Sequence, residues 1–433
     1  MQMAKSLFLI FTFSDSYSVS AQSIVLSKSE VISRVLQHNI DLQIADETHR
    51  ITEADFLQSR AMYYPNVNIN YTGISTNSPL MAFGTKLNQA IVTQQDFIPD
   101  LLNNPESIQN FSLKLEVQQP ILNFDKKHQR EAARLSIDAV AFQKKRTEEY
   151  LAFEAEQLYM QLQLAYKSVD VIKQAIATAE VNKGHAIKSF NVGYLQNVDL
   201  LEIETQINTL RNKLLAAENQ VIDISDKLHT LMNDSEYTLI QPEEELSINL
   251  AAVPMQISSG RADFLAMDTA NEAYNELLMA TKKSSLPRLN AFGSFETNDS
   301  SPINVGSTGY MVGAQISWNI FDGHQRSANL QRSKAQLDKA RLEKEKYLSQ
   351  EQSSFQKAVR MYDQASAQYE TTQVAVESAE EALRIRSNRL EAGLEKPADV
   401  LMAEAKYAEQ KLMEYQAIFQ MNFAKLYATF LSK

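Results

Sequence analysis

Phe190-Asn191-Val192-Gly193-Tyr194-Leu195-Gln196-Asn197-Val198-Asp199-Leu200-Leu201-Glu202-Ile203-Glu204 returns, two hundred residues later, as Leu390-Glu391-Ala392-Gly393-Leu394-Glu395-Lys396-Pro397-Ala398-Asp399-Val400-Leu401-Met402-Ala403-Glu404. Gly193 matches Gly393, Asp199 matches Asp399, Leu201 matches Leu401 and Glu204 matches Glu404. Each copy interrupts a very long helical run with a Gly and a short polar turn. A repeat on this scale means one supersecondary unit used twice.

The runs on either side of the turns are helical. Leu151, Ala155, Leu158, Leu162, Ala165, Val169, Ile172, Ile176 and Ala179 follow a 4-3-4-3 spacing. After the first turn Ile203, Ile207, Leu210, Leu214, Ala217, Val221, Ile224, Leu228 and Leu231 repeat it. Such seams wind antiparallel helices around each other. In the second copy Leu348, Phe355, Tyr362, Tyr369, Val376, Leu383 and Leu390 recur at heptad spacing, with Ala358, Ala365, Thr372 and Ala379 between them. Ala408, Leu412, Tyr415, Phe419, Phe423, Leu426 and Phe430 carry the last helix. No Gly or Pro occurs from Phe124 to Lys183 or from His324 to Ala392. A 68-residue helix spans on the order of 100 Å. The helix after each turn is about half as long, as is the leading helix expected from Ser27 to Tyr63.

Upstream of each long helix lie two stretches of period two. Asn66 to Thr72, Phe111 to Gln118, Leu289 to Thr297 and Tyr310 to Ile320 alternate apolar and polar residues, which marks strands with one apolar face. Pro65 and Pro287 stop the preceding helices, and Pro120 is expected to end the second strand. A loop with Pro79, Pro99 and Pro105 separates the first pair, and a turn-rich segment from Asn298 to Gly306 separates the second. Asn233 to Pro254 is a polar connector. The expected division is a first repeat over 22–240 and a second over 241–433, each a helix, two strands and two long helices.

Residues 1–21 read as an export signal: Lys5, the apolar Leu7 to Phe13, then Val19-Ser20-Ala21 before Gln22. The chain has no Cys, which excludes thiolate catalysis, disulfides and cysteine metal sites. A net charge of −11 argues against nucleic acid. The six His are scattered without metal-ligand spacing. No phosphate loop, nucleophile elbow or dinucleotide fingerprint is present, so no catalytic, cofactor-binding or metal-binding residue is expected. No stretch reaches the roughly 20 apolar residues of a membrane helix.

If the apolar strand faces meet lipid, the sheet must close, because unpaired edges are too costly in hydrocarbon. Four strands are too few, since bacterial barrels start at about eight. A membrane reading therefore requires several copies to pool their strands. The polar face, with Lys114, Glu116 and Gln118, would then line a water-filled lumen.

The chain resembles the TolC-like outer-membrane efflux proteins over about Ser27 to Lys433. The marks are Tyr64-Pro65 and Leu286-Pro287 entering the strands, Gln119-Pro120-Ile121-Leu122-Asn123-Phe124 and Trp318-Asn319-Ile320-Phe321-Asp322-Gly323 leaving them, and the two Gly-to-Asp turns. The resemblance implies a mainly α, internally duplicated chain that forms a trimeric barrel and tunnel. It implies residence in the bacterial outer membrane, an extension into the periplasm, and docking to a periplasmic adaptor and an inner-membrane transporter. In the family, acidic residues six and nine positions after the second Gly constrict the tunnel. Those positions are Asp399, which matches, and Met402, which does not. The family also bonds an Arg two positions after the second Gly to the Asp that here is Asp199. Glu395 stands in the Arg position, with Lys396 and Arg389 nearby. Gly193, Tyr194, Leu195, Gly393, Leu394 and Glu395 are the expected hairpin tips and adaptor contacts. Two alternatives stay open: an exit duct for type I protein secretion, and a soluble periplasmic coiled-coil scaffold, which would need no detergent.

Overall fold

The computed structural model describes residues 23–235, 237–249 and 252–433, so the expected signal over 1–21 lies outside them. In chain order the elements are β1 (Ser23–Leu26), α1 (Lys28–His38), α2 (Ile40–Ser59), β2 (Asn66–Thr76), α3 (Pro79–Asn88), α4 (Pro99–Asn103), β3 (Ile108–Leu122), α5 (Phe124–Asn191), α6 (Asn197–Met232), β4 (Leu239–Pro242), α7 (Ala262–Lys283), β5 (Arg288–Asp299), β6 (Ser307–Ser317), α8 (Gln325–Glu391) and α9 (Pro397–Ser432). They fall into two compact units.

The first unit comprises residues 23–42, 148–257 and 354–432. Its core is the seam read from the sequence. Leu151, Ala155, Leu162, Ala165, Val169 and Ile172 of α5 are buried against Ala217, Val221, Ile224 and Leu228 of α6. Each large side chain so buried contributes about 1.5–3 kcal/mol. β1 and β4 form a small parallel pair that the sequence did not announce. Four residues are too few to display a period. The pair is held from outside: Tyr166 donates to the Ile240 carbonyl at 3.0 Å and Tyr159 to the Leu26 carbonyl at 3.0 Å.

Two helix expectations need correction. The leading helix is not continuous to Tyr63; it breaks at Asn39, where ψ is 134°. The Asn39 carboxamide donates to the Leu231 carbonyl at 2.9 Å and accepts from the Asp41 N–H at 2.8 Å, so it starts α2 afresh. On α9 the buried face is carried by Val400, Leu401, Ala408, Ala417, Ile418, Met421, Ala424, Ala428 and Leu431. The aromatic stripe stands beside it, with Phe430 stacked on Phe153 of α5 at 4.8 Å. Ala417, Ala424 and Ala428 leave room for a neighbour to approach, and the half-buried stripe fills the space beside them against Phe153.

The second unit comprises residues 43–147 and 258–353, with Lys433. Its four strands form one antiparallel sheet in the order β2-β3-β5-β6. Ile69, Leu115, Phe295 and Tyr310 stand in one row across it, and Val67, Val117, Gly293 and Val312 in another. Asn70, Lys114, Glu296 and Gly309 occupy the opposite face. Pro120 does not end β3. The strand continues to Leu122 through an irregularity between those two residues, which accommodates the missing N–H. The Pro-rich loop after β2 holds α3 and α4, short helices each opened by a Pro.

Candidate functional site

The two hairpin turns share one construction. At the end of α5 the Tyr194 N–H donates to the Ser189 carbonyl and the Gly193 N–H to that of Phe190, both at 2.9 Å. At the end of α8 the Leu394 N–H donates to the Arg389 carbonyl at 2.8 Å and the Gly393 N–H to that of Leu390 at 2.9 Å. This pair of hydrogen bonds needs a left-handed residue, and φ is +83° at Gly193 and +72° at Gly393. Any L side chain there would cost about 1–2 kcal/mol.

The charged groups of the turns are engaged locally. The Asp199 carboxylate accepts the Gln196 N–H at 2.9 Å and completes a capping box at the start of α6. Arg389 donates from Nε to Glu395 at 2.7 Å, and Arg386 from Nη1 at 3.0 Å. Arg389 also donates to the Leu394 carbonyl at 3.2 Å. The acid in the place of the family Arg is thus gripped by two guanidiniums of its own hairpin. Glu395→Ala is expected to weaken this turn by about 0.5–1 kcal/mol, an ordinary value for a partly exposed pair. Amide exchange over residues 392–397 should then accelerate by about two- to fivefold, and no acceleration would dismiss the pair as idle.

Not all tip residues present open surface. Tyr194 is 87% exposed and Leu394 is also exposed. Leu195, expected on the surface, packs on the cluster of Ala179, Ala186, Ile203 and Leu401. Glu395 is likewise half-buried by its arginines. Asp399 lies in the first turn of α9 and is half-buried, while Met402 is 71% exposed. Met402 lines a groove of about 530 Å³ between α6 and α9, floored by Ile203 and Leu401 and rimmed by Glu202, Lys213 and Lys406.

In the second unit, Lys114, Glu116 and Gln118 stand on the polar face of β3, and Lys114 pairs with Glu116 at 2.5 Å. The apolar rows are bare: Ile69 is 69% exposed, and Tyr310, Val312 and Ile316 are also exposed. The sequence reading missed one group. Glu404 lies on the buried face of α9 between Leu401 and Ala408, and is only 5% exposed. Its spacing from those two residues was the available signal.

Known structures share this fold. The outer membrane channel CmeC of Campylobacter jejuni superposes with a TM-score of 0.80 at 15% identity, over 100% of this chain and 93% of that one. The outer membrane protein VceC of Vibrio cholerae gives 0.76 at 17%, over 93% and 95%. The open state of the MtrE outer membrane channel of Neisseria gonorrhoeae gives 0.77 at 17%, over 94% and 89%. At such identities the likeness is one of fold. Protein CyaE of Bordetella pertussis is 33% identical over 110 residues, and the match spans 25% of this chain and 23% of CyaE. The family model for outer membrane efflux proteins matches residues 31–234 and 253–429, nearly the whole described chain. The chain belongs to the outer membrane efflux protein family.

Proposed function

We propose that three copies assemble into an outer-membrane channel that passively conducts export substrates delivered by a periplasmic adaptor and an inner-membrane transporter. One observation carries this reading: a four-stranded sheet with a bare apolar face and two open edges. β2 and β6 run antiparallel to each other, since every pairing between them is antiparallel. β6 of one copy therefore suits β2 of the next in the same sense, and any number of copies yields an even strand count. Three copies give twelve strands, with the apolar rows toward lipid and Lys114, Glu116 and Gln118 toward the lumen.

The hairpin ends supply the gate. Three Asp399 carboxylates around a common axis favour cations and resist anions, and three Met402 side chains add an apolar ring beside them. Asp199 holds the neighbouring hairpin in shape through its cap. Gly193 and Gly393 set the turns, and the exposed Tyr194 and Leu394 are the surface offered to an adaptor. Leu195 and Glu395 support that surface from beneath. Substrate choice rests with the transporter, which supplies the energy.

Asp399→Ala should reduce cation preference and widen the pore in planar bilayers. Conductance and selectivity equal to wild type would remove Asp399 from the gate. Mass measurement in detergent should return three chains; a monomer stable without detergent would sink the channel reading.

A further inference from the structure

The two copies diverge at a position that is exposed in the first hairpin and buried in the second. In the first hairpin Lys183 of α5 pairs with Glu204 of α6 at 3.0 Å. The two stand equally far from the Gly193-Tyr194 turn. Their counterparts in the second hairpin are Leu383 of α8 and Glu404 of α9. Tyr407 of α9 feels the charge of Glu380 of α8, and these two also stand equally far from the Gly393-Leu394 turn. That register sets residue 383 opposite residue 404. The second repeat has kept the acid, lost its cation, and enclosed the acid between Leu401 and Ala408 in a seam of small and apolar residues.

We propose that Glu404 is a proton-operated release of the α8–α9 hairpin: neutral, it leaves the hairpin end packed, and ionised, it loosens that end. As a regulation of the gate, it rests on the channel reading above.

The surrounding charges do not supply a counter-ion among the described residues. On α9, Tyr407 is the nearby titratable group, with Lys411 a turn further and paired to Glu414 at 3.0 Å. On α8, Glu380 is of like sign, and Arg384 is committed to Glu381 at 2.6 Å. On α6, Glu204 holds Lys183 of α5, while Glu202 and Lys213 lie in the groove. Burial alone pushes the Glu404 carboxyl from 4.5 up to about 7. The packed state therefore binds a proton that a loosened, hydrated state releases between those values. The stability this adds to the packed hairpin is present in full below about pH 4.5 and is lost as pH rises through about 7.

The test uses the full-length channel in planar bilayers between about pH 5.5 and 8.5, with amide exchange over residues 397–412 corrected for its intrinsic pH dependence. Wild type should open more often, and exchange faster, as pH rises through about 7. Glu404→Gln, which is neutral at every pH, should stay at the low-pH level in both measurements. Leu383→Lys restores the missing cation and should lower the midpoint by about 1–3 pH units. A wild-type pH profile in Glu404→Gln, or an unmoved midpoint in a folded Leu383→Lys, overturns the inference. The exchange readout needs no conduction. Absent conductance together with a Glu404-dependent exchange profile would overturn the channel reading and leave the release standing.

Discussion

Arg261→Ala should destabilise the unit built from residues 43–147 and 258–353 by about 3–5 kcal/mol, the range for removing one partner of a buried ion cluster. Arg261 is fully buried. Its guanidinium donates to Asp263 at 3.0 and 2.5 Å and to Glu351 at 2.7 Å, and it lies 4.3 Å from the centre of the Phe264 ring. Tyr347 donates to Asp263 at 2.8 Å, and Arg146 approaches the same carboxylate at 3.4 Å. Burial alone would push the Asp263 carboxyl up. The hydrogen bonds from Arg261 and Tyr347 and the Arg146 charge outweigh it and hold the group below its ordinary value. Removing Arg261 takes the guanidinium from the largely buried Glu351 and leaves Asp263 to Tyr347 and Arg146. Chemical denaturation followed by the fluorescence of Trp318, the sole tryptophan, reads the loss. Arg261→Ala combined with Glu351→Ala should recover part of it, because one stranded charge is gone. A single variant within about 0.5 kcal/mol of wild type would show the cluster to be hydrated and of little weight.

Ile69→Arg should cost about 2–4 kcal/mol of barrel stability, the range for a cation on a lipid-facing strand near the bilayer midplane. Ile69 stands in the row with Leu115, Phe295 and Tyr310, so its side chain belongs to the apolar face. The neighbouring Asn70 belongs to the row of Lys114 and Glu296, and Asn70→Arg should be tolerated. Trp318, exposed just beyond β6, reports entry into vesicles by a blue shift. Equal costs for the two arginines would mean that neither face meets lipid, and the barrel assignment would fall.

Much of the fold was legible because periodicity is a local property. A seam such as Leu151 to Ala179 declares one helix face without reference to any neighbour, and the structure buries it. The alternation in β3 likewise separates Leu113, Leu115 and Val117 from Lys114, Glu116 and Gln118 before any pairing is known. The turns were legible because Gly193 and Gly393 occupy a conformation other residues avoid. The site was read less well. Residue types at Glu395 and Leu195 gave no sign that arginines of α8 would grip the one and that the α5–α6–α9 cluster would cover the other.

By itself the chain of residues determined the duplication, the lengths of the helices flanking the two hairpin turns, the turns themselves and the two faces of the four long strands, since these follow from spacing and backbone preference. Tertiary structure alone decided that Asn39 would cap a second helix, that the aromatic stripe of α9 would lie half-buried against Phe153 beside the fully buried face, and that Glu404 would be enclosed without a cation. Each of these outcomes depends on what a distant segment places against the residue. Packing distance and desolvation are properties of pairs of segments, and no single stretch of sequence carries them.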